Sequence, residues 1–151
     1  MAATYNNLYL DARKRLREAG VEGAQLEARE LVCCAAGKSR EQFYRDMALY
    51  ASDPVEEKLA ELLERRLAGE PVAYLIGEWE FYGLGLDITP DVLIPRMDTE
   101  VLAERAILLA RAAGEGARVL DLCAGSGCVG LAVAANVPGC RVVLADVSEA
   151  A

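Results

Sequence analysis

The stretch Arg118–Gly130, RVLDLCAGSGCVG, decides the fold. An apolar run with one carboxylate, Asp121, leads into the spacing G-x-G-x-x-G at Gly125, Gly127 and Gly130. A short apolar run before such a turn is typical of a buried strand, and glycine lets main-chain N–H groups approach a ligand closely. The pattern predicts a strand, a tight turn, and then a helix whose N-terminus points at the turn.

A second apolar run, CRVVLA at 140–145, ends at Asp146. This acid follows the first glycine by about twenty residues, where a carboxylate usually holds the hydroxyl groups of a ribose. With a helix predicted over 128–135 between the two runs, the pattern indicates half of a nucleotide-binding βαβ unit. The glycine spacing by itself also fits a purely structural loop, so the flanking elements carry the interpretation.

Asp121 favours one class of ligand over another. A carboxylate at the exit of the first strand would repel a pyrophosphate, which dinucleotide-binding proteins place over this turn. A neutral or cationic ligand is a better electrostatic match, and S-adenosylmethionine carries a sulfonium and an amino group but no phosphate. The run DLCAGSG at 121–127 also resembles motif I of the class I methyltransferases, D-x-G-x-G-x-G, with Cys123 in place of the first glycine.

Composition and charge disfavour several classes of function. A net charge of −8 argues against broad, direct contact with nucleic acid. Since no run of 18 apolar residues and no signal peptide is present, we expect a cytoplasmic protein that does not enter the membrane. Without histidine or a CxxC spacing, no metal site is expected. Small, mostly buried thiols are predicted for Cys33, Cys34, Cys123, Cys128 and Cys140.

Residues 1–70 are predicted to form a bundle of amphipathic helices. The helices are predicted from Thr4 to about Ala19, over 24–36, from Ser39 through Met47, and from Asp53 to Gly69. The last start is the clearest, with Asp53 as the cap, Pro54 at the first helical position and Glu56 completing a capping box. A purely structural or docking bundle also fits these residues.

Residues 71–95 hold the only tryptophan, an aromatic cluster and several glycines. The runs 77–81 and 84–88 predict a β-hairpin that turns at Gly83, which suits a linker or a wall beside a substrate. The aromatic cluster is more typical of packing than of binding. After Pro95, Asp98 is predicted to cap a helix that runs through Ala113.

Three segments together carry a family resemblance: EPVAYLIGEWEFYG at 70–83, LIPRMDTEVL at 93–102 and VLDLCAGSGCVGLAVA at 119–134. They resemble the peptide-chain-release-factor N5-glutamine methyltransferases of the HemK/PrmC type, and the resemblance covers essentially the whole chain. Its most specific element is I-P-R-x-D-T-E, in which Met97 replaces the usual proline. The resemblance implies an α + α/β chain: a release-factor-recognising helical bundle (1–70), a hairpin linker (71–95) and the start of a Rossmann-like class I methyltransferase domain (96–151).

The resemblance also implies a cofactor and a substrate. S-adenosylmethionine would give its methyl group to the side-chain amide of the glutamine in the Gly-Gly-Gln motif of peptide chain release factors. The residues implied to bind the cofactor are Asp121, Cys123, Ala124, Gly125, Ser126 and Gly127 near its methionine part and Asp146 at its ribose. An active-site wall is implied for Arg96, Asp98, Thr99 and Glu100, for which a purely structural role stays equally open.

The catalytic Asn-Pro-Pro-Tyr of that family is absent, because none of Asn6, Asn7 and Asn136 precedes a Pro-Pro pair. An amide nitrogen is a poor nucleophile, so this loop is expected to hold the amide in line with the sulfonium methyl group. The predicted sheet is also incomplete, with its second strand ending at Asp146 and one face uncovered. We therefore expect the amino-terminal half of a methyltransferase, truncated before its catalytic loop and inactive alone.

Two other hypotheses stay open. A nicotinamide-dependent oxidoreductase would use the same glycines and Asp146, although Asp121 and the segment LIPRMDTE disfavour it. A non-enzymatic module would instead use the acidic bundle to dock a basic partner such as a release factor. Comparing NAD with S-adenosylmethionine separates the first from a methyltransferase, and cofactor-independent binding of a release factor would favour the second.

Overall fold

The computed structural model of the protein describes residues 3–151, which divide into two compact units. The first unit ends at Ile76 and is helical, and the second begins at Gly77 and contains a β-hairpin followed by an α/β region. This confirms the predicted α + α/β class. Met1 and Ala2, which the predicted bundle includes, lie outside the described residues.

The first unit contains five helices, and their starts and ends follow local sequence signals. Thr4 Oγ1 accepts a hydrogen bond from the Asn7 backbone N–H at 3.2 Å, and Ser39 forms a capping box with Gln42. Gly37 ends the second helix in the left-handed conformation. The helices are α1 (Tyr5–Glu18), α2 (Ala24–Ala36), α3 (Arg40–Asp46), α4 (Asp53–Leu67) and α5 (Val72–Ile76).

The predicted cap at Asp53 is wrong by one residue. Asp53 is the first residue of α4, and the N-cap is Ser52, whose side chain makes no capping hydrogen bond. Glu56 does not complete a capping box, because its Oε1 accepts a hydrogen bond from the backbone N–H of Ala3 at 2.9 Å. The Glu56 side chain thus bonds a residue that is distant in sequence and not the backbone of the N-cap.

Helix α2 is at the centre of the first unit and packs against each of the other four helices. Ala28, Leu31 and Val32 of α2 are fully buried. An ion pair joins α2 to α4, with Arg66 Nε 2.6 Å from Glu27 Oε2 and both side chains mostly buried. The predicted bundle is therefore present, and its core is made by the apolar stripes that the helical spacing indicates.

Helix α5 lies inside the segment predicted as a linker and was not predicted. Val72, Ala73 and Leu75 are buried, and α5 packs against α2 and α4. A five-residue helix is too short for apolar residues to repeat at helical spacing, so the sequence offers no periodicity from which to find it.

The predicted hairpin is present as β1 (Glu78–Phe81) and β2 (Leu84–Asp87), which pair antiparallel. The two residues between the strands, Tyr82 and Gly83, have positive φ angles of 50° and 75°. Two such residues make the turn whose twist matches paired strands. Phe81 and Leu86 are buried on one side of the hairpin, whereas Glu78 and Asp87 are exposed on the other.

The α/β region follows as α6 (Met97–Ala113), β3 (Arg118–Leu122), α7 (Cys128–Asn136) and β4 (Arg141–Ala145). Strands β3 and β4 pair in parallel, and α7, which connects them, packs on β3, β4 and α6. Ile107, Ala110, Val133 and Val137 form the buried core between the two helices. The predicted βαβ half-unit is confirmed.

One face of this two-stranded sheet is exposed. Leu120 and Val143 lie directly opposite each other in register, and both side chains are more than half exposed. Val119 and Val142, which point to the other face, contact the core of α6 and α7. Alternate residues of one strand point to opposite faces, so the sheet is covered on one side by helices and bare on the other.

No helix within residues 3–151 combines the length and the apolar character that crossing a membrane requires.

We predict that Leu16→Ala destabilises the first unit by about 2–5 kcal/mol, because Leu16 is fully buried and the truncation leaves a cavity. Leu10→Ala on the same helix is the matched control, since Leu10 is 47% exposed. Urea unfolding followed by circular dichroism measures both. Equal destabilisation by the two variants would contradict the assigned core.

Candidate functional site

The glycine-rich turn joins β3 to α7 and is held against the end of β4. The Ala124 backbone N–H donates to the Ala145 carbonyl at 3.0 Å, and the Gly127 N–H donates to the Ala124 carbonyl at 2.8 Å. Cys123 has a φ of 61°, which lies in the left-handed region that favours glycine.

The three glycines of the spacing are required for different reasons. Gly125, with φ 51°, has no atom within 4 Å of where a Cβ would lie, so only its backbone conformation favours glycine. Gly127 combines φ 72° with a Leu144 methyl group 2.8 Å from a would-be Cβ. Gly130 is helical, and a Cβ there would overlap Leu144 and lie 3.0 Å from Asp121 Oδ2. The last glycine therefore permits close packing of helix on strand.

The Asp121 side chain forms a hydrogen bond with the main chain of α7. Its Oδ2 accepts a hydrogen bond from the Gly130 N–H at 2.8 Å, where Gly130 lies in the first turn of the helix. The first N–H groups of a helix have no partner within the helix, and the helix dipole favours a carboxylate at this end. The acid at the exit of β3 thus caps α7 from a neighbouring strand.

Asp146 also binds main-chain N–H groups. Its Oδ2 accepts from Gly125 at 2.7 Å and its Oδ1 from Ser148 at 2.9 Å. The hydrogen bonds from Ser148 and then Gly125 lower the pKa of this carboxyl below its usual range. A lowered pKa means that these bonds are intact at neutral pH and are lost as the pH falls through it. Asp146 thereby fixes the glycine turn to the end of β4.

A cavity of about 360 Å³ opens beside the turn. Five of the predicted cofactor residues line it: Ala124, Gly125, Ser126, Gly127 and Asp146. The other two predicted cofactor residues, Asp121 and Cys123, lie close to these five in sequence but do not line the cavity. The remaining lining residues are Asp87, Thr89 and Val92 after the hairpin, Leu144 and Ala145 of β4, and Ser148, Ala150 and Ala151.

Asp87, Thr89 and Val92 were missed by the sequence analysis. They follow or end β2, and their place at the cavity depends on tertiary packing within the second unit, which no local pattern encodes. The sequence pointed to these three residues only indirectly, through the prediction that the hairpin could form a wall beside a substrate.

The cavity lining is acidic. It contains the two carboxylates of Asp87 and Asp146 and none of the lysine or arginine side chains that bind phosphate. The main-chain N–H of Gly125, which could otherwise receive a phosphate oxygen, already donates to Asp146. The site is thus electrostatically suited to a neutral or cationic ligand with hydroxyl groups, and unsuited to a pyrophosphate.

The segment Arg96–Glu100 begins α6, and none of its residues lines the cavity. The predicted cap at Asp98 is wrong, because α6 begins at Met97 with Arg96 as its N-cap, and Asp98 lies within the first turn. Glu100 Oε1 accepts a hydrogen bond from the Tyr82 N–H at 3.0 Å. Glu100 thereby ties the hairpin turn to the start of α6.

The cysteines differ in exposure. Cys33 and Cys128 are buried, and burial raises the pKa of Cys33 to about 11 and also raises that of Cys128. Cys34 and Cys140 are half-buried, whereas Cys123 is exposed in the glycine-rich turn, so the prediction of a buried thiol is wrong there. In the described part of the chain, no three cysteine or acidic side chains converge to hold a metal ion.

Comparison with known proteins divides the chain in the same place as its fold. Residues 7–77 match the family model of the PrmC N-terminal domain, and residues 95–151 match a model described as lysine methyltransferase. The second match supports a methyltransferase region.

The chain is also similar to release factor glutamine methyltransferases of several bacteria. It is 46% identical to that of Bordetella pertussis, covering 84% of this chain and 47% of that protein. Identity is 40% with that of Geobacter sulfurreducens, covering 92% and 48%, and 37% with that of Vibrio cholerae, covering 97% and 50%. The chain spans about half the length of the curated relatives it matches.

We predict that Gly130→Ala destabilises the second unit by about 1–3 kcal/mol, because the added methyl group overlaps Leu144. The direction of the change in stability tests the close packing, since alanine in place of a helical glycine would otherwise stabilise the protein by about 1 kcal/mol. Ala134→Gly, at an exposed position of the same helix, is the control for helix propensity alone. Urea unfolding measures both, and a stabilised Gly130→Ala would contradict the close packing.

Proposed function

Because the chain belongs with the release factor glutamine methyltransferases, as the counterpart of their amino-terminal portion, we propose that it binds S-adenosylmethionine at the glycine-rich turn. The proposed reaction of the whole protein is methyl transfer to the side-chain amide of the glutamine in the Gly-Gly-Gln motif of a release factor. The observation that carries the proposal is the cavity, which joins the glycine-rich turn to two carboxylates and no basic side chain.

The residues at the cavity fit S-adenosylmethionine in size and charge. The volume of about 360 Å³ lies within the range of small-molecule sites. When bound, this cofactor supplies an electrophilic methyl group on a sulfonium. Asp146 would accept hydrogen bonds from the ribose hydroxyls, since each of its oxygens keeps a free lone pair beside its backbone bond. Leu144 and Val92 supply apolar surface for the purine.

Residues 121–127 have separate roles in this proposal. Ala124, Gly125, Ser126 and Gly127 would surround the methionine part of the cofactor. Cys123 would supply the left-handed backbone that turns the chain away from β3. Asp121 would act indirectly, because its bond to the Gly130 N–H fixes the helix on which the turn rests.

The helical bundle is proposed to recognise the release factor, with the domains bounded as the sequence predicts, at 1–70, 71–95 and 96–151. Support comes from the match of residues 7–77 to the model of the PrmC N-terminal domain. The substrate is proposed to be glutamine and not lysine, since the first unit and the relatives point to release factors. Arg96, Asp98, Thr99 and Glu100 are proposed as a wall of the active site.

A nicotinamide-dependent oxidoreductase fits the cavity less well. Its cofactor would place a pyrophosphate over the turn, where Asp146 already takes the Gly125 N–H and a second acid, Asp87, lines the same space. Phosphate sites in proteins are made by basic side chains and free main-chain N–H groups. The cavity offers the opposite charge.

We predict that the 151-residue chain binds S-adenosylmethionine and that NAD binds at least about tenfold more weakly, a difference of roughly 1.4 kcal/mol. Isothermal titration calorimetry with each ligand, at one ionic strength, measures the two affinities. Asp146→Ala should weaken S-adenosylmethionine by about 1–3 kcal/mol because the ribose hydroxyls lose a charged acceptor. Tighter binding of NAD would overturn the proposal.

We predict that the 151 residues, although they bind the cofactor, transfer no methyl group to a release factor. The reason is that no Asn-Pro-Pro-Tyr occurs in this sequence to orient the substrate amide. Incubation with radiolabelled S-adenosylmethionine and a release factor measures transfer, with the Vibrio cholerae relative as the positive control. Turnover by the 151-residue chain would refute the need for that loop, and binding of the release factor without cofactor would favour the docking module.

A further inference from the structure

Three acids lie near the glycine-rich turn, and only one of them has no main-chain partner. Asp121 accepts from the Gly130 N–H, and Asp146 accepts from Gly125 and Ser148. The third, Asp87, lines the cavity, and within residues 3–151 no donor forms a hydrogen bond or ion pair with its carboxylate. Its charge is therefore available to a ligand.

The position of Asp87 is electrostatically unfavourable in the absence of a cation. Asp87 is the last residue of β2 and stands directly opposite Glu78 in the hairpin register. Like charges in directly opposed positions destabilise an antiparallel pair. The Glu78 side chain extends instead over Gly85, with Oε1 2.7 Å from where a Cβ of Gly85 would lie. A side chain at position 85 would obstruct that path.

Asp87 nevertheless lies in a well-fixed backbone. The Ile88 N–H donates to the Gly77 carbonyl at 2.9 Å, one residue beyond the paired strands, and Ile88 itself is buried. The carboxylate is thus carried at the cavity by a closed hairpin end. Opposed carboxylates such as Glu78 and Asp87 are locally unfavourable in a hairpin, and proteins keep such unfavourable arrangements mainly at functional sites.

We infer that Asp87 is the counter-charge for a cationic group of the cofactor, a role that rests on the proposed function of the cavity. S-adenosylmethionine carries two such groups, the sulfonium and the amino group of its methionine part. Asp146 accepts hydrogen bonds from two main-chain N–H groups and is assigned to the ribose hydroxyls. The other acid that lines the cavity, Asp87, is then left for a cationic group. Asp87 thereby contributes selectivity for the charged cofactor over neutral nucleosides.

Because Asp87 is exposed, its effect is modest and depends on salt. Exposed ion pairs contribute up to about 1 kcal/mol, which corresponds to a three- to fivefold change in affinity. The interaction is screened as ionic strength rises. Loss of the charge in the absence of ligand should not harm the hairpin, since it relieves the repulsion with Glu78.

The test measures three ligands on the full 151-residue chain by titration calorimetry at low and high salt. The ligands are S-adenosylmethionine, S-adenosylhomocysteine, which lacks the sulfonium, and 5′-methylthioadenosine, which lacks both cationic groups. For Asp87→Asn we expect S-adenosylmethionine to bind three- to fivefold more weakly at low salt, with the loss shrinking at high salt. Binding of 5′-methylthioadenosine should stay within twofold of wild type.

S-adenosylhomocysteine identifies which cation is recognised. A loss equal to that of S-adenosylmethionine assigns the amino group, and an unchanged affinity assigns the sulfonium; either supports the inference. Glu78→Gln is the matched control, because it removes the opposing carboxylate of the same hairpin without changing the cavity lining, and it should leave all three affinities within twofold. Thermal unfolding of each variant checks that the hairpin is intact.

Equal losses for all three ligands, or none, would overturn the role of Asp87 while leaving the proposed function standing. A loss with Glu78→Gln as large as that with Asp87→Asn would also overturn it, because the effect would then come from net charge. Failure of the wild-type chain to bind any of the three would refute the proposed function itself.

Discussion

The second unit depends on how closely α7 approaches the two parallel strands at Gly130. A single methyl group there would overlap Leu144 of β4, and the Asp121 carboxylate of β3 bonds the Gly130 N–H at 2.8 Å. One glycine therefore joins three elements at once. The close approach places the first turn of α7 directly above the strand ends, where the glycine-rich turn leaves β3. If the helix stood further away, the bond between Asp121 and the Gly130 N–H would be lost, and the turn would be held only through its bonds to Ala145 and Asp146.

The same contacts explain the charge of the site. Many nucleotide sites leave main-chain N–H groups of the turn free for phosphate. Here Asp146 takes such a group, since it accepts from the Gly125 N–H, and Asp121 accepts from the Gly130 N–H in the first turn of α7. The turn and helix are thereby held by carboxylates, and the negative charge of Asp146 at the cavity disfavours anionic ligands. Selectivity and stability share one cause, and the cavity favours a ligand whose charge is positive.

Most of the fold could be predicted from sequence because its signals are local. The α2 helix lies between glycines, and the hairpin turns at Tyr82-Gly83. The run from Arg118 to Gly130 contains the local signals for a strand, a turn and the start of a helix. The errors have different causes. Glu56 bonds Ala3 and forms no capping box, and α5 is too short to show periodicity. Asp98 resembles a cap, yet α6 begins one residue before it.

Asp87 shows why part of the site was not visible in the sequence. Nothing near residue 87 distinguishes it from any exposed acid of a hairpin, and its meaning comes from sharing a cavity with a turn nearly forty residues later. The bond between Tyr82 and Glu100 holds the hairpin to the start of α6, and the ends of β2 and β3 lie in the same compact unit. Glu100 has a structural role of its own, because its bond to the Tyr82 N–H ties the hairpin that carries Asp87 to the start of α6. The segment from Arg96 to Glu100 thus contacts the hairpin through Glu100, although none of its residues lines the cavity itself.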